Sequence, residues 1–257
     1  MIRAFLKIDS LILKEPVEIS VFLPQPLTFI NSNFKVLWCL HSIFSDSSLF
    51  TERLDLLDLV NHGYILVCPS LSNSYYMNAE CRNVADFLDI ELYPYLQELF
   101  PLSTEKKNNI CMGISMGAFG ALTWSLRKQS YFSRLILVGG YYDCHLPLNS
   151  KLKLYRRDQL LSNLAEPYIK SKLTCKDGSL LSAADIQELL RNVELDTFPK
   201  VDFYCGSEDY ISKDQTAFYF DLMKSRNMNV SMTFYSGCHD VKSWRNAMPI
   251  IFSELRS

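Results

Sequence analysis

Residues 113–117 read Gly-Ile-Ser-Met-Gly, and their flanks restrict the fold more than any other stretch of the chain. Upstream, Asn109–Gly113 is a short apolar run of strand character; downstream, Met116–Arg127 has the composition of a buried helix. A serine on so tight a strand-to-helix turn presses its neighbours two residues away against each other, and only glycine avoids a clash there. Such a turn calls for a sheet with helices packed on it, an α/β layering. The plainer alternative is a tight turn whose serine only caps the helix.

The rest of the chain supplies the layers. Ile2–Ile8 and Val17–Leu23 are β-rich and read as an antiparallel start. Further strands are predicted at Phe34–Leu40, Tyr64–Cys68, Leu135–Val138, Val201–Cys205 and Val230–Tyr235. Leu54, Leu57 and Val60 give a short helical face. Apolar residues at 84, 87, 88, 92, 95, 96 and 99 predict a helix over Cys81–Phe100, kinked at Pro94. One helix is capped by Ser212, with Gln215 three residues on, and a closing helix lies near Val241–Leu255. Residues 141–199 have no strand pattern and carry a capping box at Ser182 and Asp185. They read as a helical, lid-like insertion over the sheet edge. The alternation implies a mostly parallel central sheet with helices on both faces, one domain spanning residues 1–257.

Net charge is −2 with no Lys/Arg stripe, which argues against nucleic acid or an anionic membrane as the main partner. No apolar run approaches the roughly 18 residues of a membrane span, and Met1–Lys7 lacks the pattern of a signal peptide. A cytoplasmic location is expected. The eight cysteines, at 39, 68, 81, 111, 144, 175, 205 and 238, are scattered without a CxxC pair. Cys39, Cys68 and Cys205 fall in strand-like runs, as small buried hydrophobes do in a reducing compartment. No ligand spacing resembles a metal site, and no cofactor is expected.

A serine hydroxyl is a weak nucleophile and needs a base within hydrogen-bond reach. Of His41, His62, His145 and His239, only His239 follows a late strand, in FYSGCHD, as the order serine–acid–histidine of this elbow requires. His62 reads as part of a helix C-terminus and turn, His145 as a surface residue, and His41 as an anchor of its own loop. The acid must lie between Ser115 and His239 at a strand's C-terminal end. Asp209, in the loop Gly206–Tyr210, is the first choice, with Glu208 and Asp143 as alternatives. Asp202 sits at the wrong end of its strand. An oxyanion hole needs two backbone N–H groups: one from Met116, the other from the loop Leu40–Phe44, with Ile43 favoured and Ser42 the alternative.

Together these residues resemble the putative-esterase family of α/β-hydrolases, which holds tributyrin esterases, esterase D (S-formylglutathione hydrolase) and the mycolyltransferases. VLWCLHS resembles the family's strand ending in L-L-H-G, and YILVCPSLSNSYYMN its P-x-x-S-N-x-x-Y loop. NICMGISMGAFGAL resembles the elbow G-x-S-M-G-G-x-G-A; FYCGSEDYI resembles the acid loop, with the acid on Asp209; SGCHDVKSW resembles the histidine loop, with His239 and Trp244 in place. Ser42 and Ala118 stand where the family has glycine, and Ser42 reduces the freedom of the oxyanion loop. The tributyrin-esterase branch is the most similar.

The resemblance implies an α/β-hydrolase fold and a serine carboxylesterase for short-chain acyl esters, using a Ser115–His239–Asp209 triad, an acyl-enzyme on Ser115 and no cofactor. Its partner would be a small-molecule ester. Tyr75 and Tyr76 are candidates to line the pocket, with ordinary surface packing as the alternative, and Trp244 is a further candidate to touch substrate. An acyltransferase, an S-formylglutathione hydrolase-like thioesterase and a non-catalytic binding protein of the same fold are the competing readings. Homo-oligomerisation stays open.

Overall fold

The alternating pattern builds a sheet whose central strands are apolar on both faces, as parallel strands covered by helices must be. The computed structural model describes residues 1–25, 34–79, 82–143, 173–174 and 181–256. Its strands are β1 (Ile2–Ser10), β2 (Glu15–Leu23), β3 (Lys35–Leu40), β4 (Tyr64–Ser70), β5 (Asn78–Ala79), β6 (Arg82–Asn83), β7 (Asn109–Ile114), β8 (Arg134–Val138), β9 (Lys200–Gly206) and β10 (Val230–Tyr235). Eight form one sheet of order β1-β2-β4-β3-β7-β8-β9-β10, and β5 and β6 make a separate small hairpin. Pairing is parallel from β4 through β10 and antiparallel at β1–β2 and β2–β4. This is the α/β-hydrolase architecture, with the antiparallel opening that the first two β-rich segments predict.

The register sets the site. Leu40 pairs with Gly113, Ile114 with Val138, Val138 with Tyr204, and Gly206 with Tyr235. The C-terminal ends of β3, β7, β8, β9 and β10 therefore lie along one edge, where α/β folds gather their functional loops.

The described helices are α1 (Leu57–Asn61), α2 (Val84–Asp86), α3 (Tyr93–Leu99), α4 (Met116–Arg127), α5 (Ile186–Leu189), α6 (Lys213–Ser225) and α7 (Val241–Arg256). One apolar cluster joins Trp38, Val67 and Leu135 of the sheet to α4 through Phe119 and Trp124. A second, on the other face, joins Leu37, Leu66 and Met112 to α7 through Trp244 and Ile251.

Three local expectations change. The helix predicted over Cys81–Phe100 begins at Val84, after the hairpin, and passes through a π-helical stretch, Phe87–Leu92, before Pro94. Tyr93 N–H reaches back five residues to Leu88. Pro94 has no N–H to give, and the chain meets it with a widened turn. Ser182 opens a 3-10 turn instead of capping a helix, and Asp185 caps α5 by accepting the Glu188 N–H at 3.0 Å. Ser212 does precede α6, but its side chain makes no capping bond.

Most of the 141–199 insertion lies outside the described residues, with His145, Cys144 and Cys175; Cys81 also lies outside them. Cys39, Cys68, Cys111 and Cys205 are free and buried, and Cys238 is exposed. Among the described residues no helix is long and apolar enough to cross a membrane, and no three His, Cys, Asp or Glu residues cluster to hold a metal.

Candidate active site

Ser115 links β7 to α4 at φ +54°, a left-handed conformation that costs a non-glycine residue strain. Its N–H bonds to Val138 O at 2.9 Å, pinning the turn to the end of β8. A Cβ on Gly113 would sit 2.0 Å from Gly117 O, so the two glycines press together as the sequence predicts. Gly117 carries a second constraint that the motif does not announce: a Cβ there would sit 1.8 Å from Leu40 O, at the end of β3. The first turn of α4 and the loop after β3 thus touch backbone to backbone.

His239 follows β10 and brings Nε2 to 2.9 Å from Ser115 Oγ. Its Nδ1 lies 2.8 Å from Asp209 Oδ2. A carboxylate can only accept, so the ring proton sits on Nδ1, and Nε2 is left to accept the serine proton. Trp244 meets the imidazole edge-on, ring centroids 5.3 Å apart, and is nearly buried.

Asp209 is fully buried at the end of β9. Oδ1 accepts from the Ile211 and Ser212 N–H groups at 3.0 and 2.9 Å, and Oδ2 accepts from His239 and from Ser212 Oγ, the latter at 2.6 Å. Burial alone raises its pKa, but attraction to His239 and the bonds from His239 and Ser212 outweigh that and hold it below the usual carboxylate value.

The other acids fall elsewhere. Glu208 is exposed, its carboxylate 3.9 Å from the Cys238 thiol. Asp143 has its backbone held by Gln215, whose Oε1 accepts from the Tyr142 and Asp143 N–H groups at 2.6 and 2.9 Å and whose Nε2 donates to Asp143 O at 2.9 Å. Asp202 lies near the start of β9, ion-paired with Arg134 and Lys200.

Met116 is the first residue of α4, so its N–H is among those with no partner inside the helix. Facing α4, the loop after β3 is tied down by main-chain and side-chain bonds. Leu71 N–H donates to His41 Nε2 at 2.9 Å, which leaves the Nδ1 proton for Ser42 O at 2.8 Å. Burial lowers the His41 pKa, consistent with a neutral anchoring ring. Tyr76 OH donates to His41 O at 3.0 Å. Phe44, at φ +57°, gives its N–H to Asn73 Oδ1 at 2.7 Å. Ser42 is not left-handed, so the serine in place of the family glycine brings no φ strain; the strained residue is Phe44. Ile43 lies between these pinned positions and is partly exposed.

Tyr75 and Tyr76 take a different place from a pocket wall. Both are buried, at 2% and 0% exposure. Tyr76 packs on Gly120, where a Cβ would come within 2.3 Å of its ring, and the Tyr75 N–H points at Met116 Sδ at 3.4 Å. They brace the elbow and the facing loop from within the core. Asn73, Phe44, Ser212 and Gln215 are the residues that sequence reasoning missed. Asn73 lay inside the SLSNSYY stretch and had a signal; Ser212 had none beyond its place three residues after Asp209. A groove of about 650 Å³ over β1 and β2, lined by residues such as Arg3, Phe5 and Glu52, shares no residue with this constellation.

The family model described as "Putative esterase" matches residues 10–167. An acetyl esterase of Caldicellulosiruptor saccharolyticus is 22% identical over 219 residues, 83% of this chain and 80% of that protein. Among solved structures, the fluorophosphonate-binding serine hydrolase FphF of Staphylococcus aureus superposes with a TM-score of 0.80 at 22% identity, covering 100% of this chain and 98% of that one. The S-formylglutathione hydrolase FrmB of the same organism gives 0.77 at 22% identity, covering 100% and 99%. The chain therefore belongs to the putative esterase family: it has the α/β-hydrolase fold and is a serine hydrolase of carboxylic esters.

Proposed function

We propose that the protein hydrolyses short-chain acyl esters through an acyl-enzyme on Ser115, with His239 as general base and acid and Asp209 as the group that orients it. The observation carrying this reading is the unbroken chain from Ser115 Oγ to His239 Nε2 at 2.9 Å and from His239 Nδ1 to Asp209 Oδ2 at 2.8 Å. Ser115 attacks the ester carbonyl while His239 takes its proton; the tetrahedral oxyanion is held by the Met116 N–H and by that of Ile43, or of Ser42. His239 then protonates the leaving alcohol, and water activated by the same ring releases the acid. Asp209 stays ionised and stabilises the imidazolium. The acetyl esterase among the relatives supports a short acyl group. Trp244, packed edge-on against His239, is kept as the further candidate to touch substrate. Free cysteines suit a reducing, cytoplasmic setting. An S-formylglutathione thioester would use the same groups, and the FrmB likeness keeps it as the second reading.

The test is hydrolysis of p-nitrophenyl acetate, butyrate and octanoate by the wild type and by Ser115→Ala, beside labelling with a fluorophosphonate probe. Wild type should prefer the short chains and label; Ser115→Ala should lose labelling and at least about a thousandfold in kcat. Labelling that survives the substitution would remove Ser115 from the reaction.

A further inference from the structure

We infer that Ser212 is a positioning residue that sets the pH at which the base of this site becomes free. The inference rests on the triad reading above. The Ser212 hydroxyl is fully buried and donates to Asp209 Oδ2 at 2.6 Å, the same oxygen that takes the His239 Nδ1 proton at 2.8 Å. Its N–H also binds Oδ1, at 2.9 Å. Ser212 thus holds both carboxylate oxygens and competes with the imidazole for one of them. The hydroxyl gives up its role as helix cap to do so, since α6 begins at the next residue without a side-chain cap.

The consequence follows from charge. A hydroxyl bonded to Oδ2 draws off part of the negative charge that the imidazolium would otherwise meet. Asp209 then stabilises protonated His239 less, and the ring loses its proton at lower pH than it would beside an unshared carboxylate. Without the hydroxyl, Oδ2 turns its full charge on Nδ1 and the imidazolium persists to higher pH.

The other groups around the pair leave this role to Ser212. From β9 the Cys205 thiol faces Asp209, 3.5 Å from Ser212 Oγ, and burial pushes its pKa up to about 11. Tyr142, after β8, and Tyr235, at the end of β10, sense the Asp209 charge, and burial raises both, so they stay neutral. At the start of α6, Lys213 Nζ donates to Ser207 O, and on the loop after β9 Glu208 is turned to Cys238. Asp240, beside His239, accepts the Ser243 N–H through its side chain. Asp143 stands on the loop after β8. None of these side chains gives a hydrogen to the Asp209 carboxylate, whose donors are Ile211, Ser212 and His239.

The experiment is the pH profile of kcat/KM on p-nitrophenyl acetate for wild type, Ser212→Ala and Ser212→Thr, with melting temperatures of each. Ser212→Ala should move the acid limb upward by about half to one pH unit, a threefold to tenfold loss at a pH below the limb. Ser212→Thr keeps the hydroxyl and should restore the wild-type limb. An acid limb that stays in place or moves downward in Ser212→Ala overturns the inference, as does a Thr variant that tracks Ala. If Ser212→Ala fails to fold, the pH dependence of fluorophosphonate labelling in Ser212→Thr and Ser212→Cys decides: Cys, the weaker donor, should shift upward and Thr should not. The two readings fail separately. Loss of labelling in Ser115→Ala with an unmoved limb in Ser212→Ala sinks this inference alone, whereas a labelled Ser115→Ala sinks the triad.

Discussion

Asp209→Asn should abolish activity while leaving the fold almost untouched, because of which oxygen faces which donors. Oδ1 faces two backbone N–H groups, from Ile211 and Ser212 at 3.0 and 2.9 Å. An NH2 in that place would set donor against donor, so the amide oxygen must take it. The NH2 then occupies the Oδ2 position, facing His239 Nδ1 and Ser212 Oγ. Ser212 adapts by accepting there and turning its own hydrogen toward Cys205 Sγ, 3.5 Å away. His239 can adapt only by accepting at Nδ1, which moves the ring proton to Nε2 and points it at Ser115. The base has become a donor, and the wrong tautomer costs about ten-thousandfold in kcat, or about 5 kcal/mol.

All four hydrogen-bond positions stay filled in Asp209→Asn, so its melting temperature at neutral pH should fall only slightly. Asp209→Ala, which abandons the buried Ser212 N–H at about 1–3 kcal/mol and the part-buried Ile211 N–H at less, should melt clearly lower. The acid side has a definite sign. Asp209 is held below its ordinary pKa when folded, so its charge stabilises the fold above the unfolded value, and that stabilisation is lost as pH falls through the lower folded value. Any stability gap between wild type and Asp209→Asn should therefore close below about pH 4. The measurements are kcat on p-nitrophenyl acetate at neutral pH and thermal melts across the acid range. An Asp209→Asn enzyme within about tenfold of wild type would refute the tautomer argument.

Gly117→Ala should be worse for the fold than its one methyl suggests. The new Cβ would lie 1.8 Å from Leu40 O, so α4 or the end of β3 must shift, at about 1–3 kcal/mol by overpacking and with loss of probe labelling; an unchanged melt and full labelling would disprove the tight contact. Asn73→Ala frees the Phe44 N–H and should loosen the facing loop, lowering kcat about ten- to a hundredfold with KM nearly unchanged and little effect on melting, because Phe44 is exposed. A KM effect without a kcat effect would move Asn73 from loop support to substrate binding.

The strands and the elbow were legible because each rests on local chemistry. NNICMG and VDFYC have no polar side chain to present to water at their centres, and Gly113 and Gly117 announce a turn that only glycine permits. The candidate triad was legible from chain order, since Asp209 and His239 each follow a late strand. Side-chain allegiance was not legible. Ser182 and Ser212 have equal claims as helix caps by spacing, yet Asp185 takes the first cap and a buried carboxylate takes Ser212's hydroxyl. Spacing knows nothing of a charge that arrives from the end of β9. Tyr75 and Tyr76 look like loop aromatics in sequence, but Tyr75 packs on Phe119 and Tyr76 on Gly120 of α4, which takes both rings into the core. The π-helical stretch before Pro94 escaped because a proline shows where a ladder must break, not how the chain will absorb the break.

The backbone contact between Gly117 and Leu40 O sets terms for anyone who would redesign this enzyme. The frame of the site is closed largely by peptide groups: Leu40 O against α4, His41 O under Tyr76, Leu71 N–H on His41, Phe44 N–H on Asn73. Peptide groups are the one part of a protein that point mutation cannot exchange. Most side chains around such a frame are free to drift, as 22% identity to an acetyl esterase and a serine hydrolase of matching fold illustrates. Diversity in a mutant library is best spent on the side chains above the frame, while Gly113 and Gly117 serve as its fixed pivots.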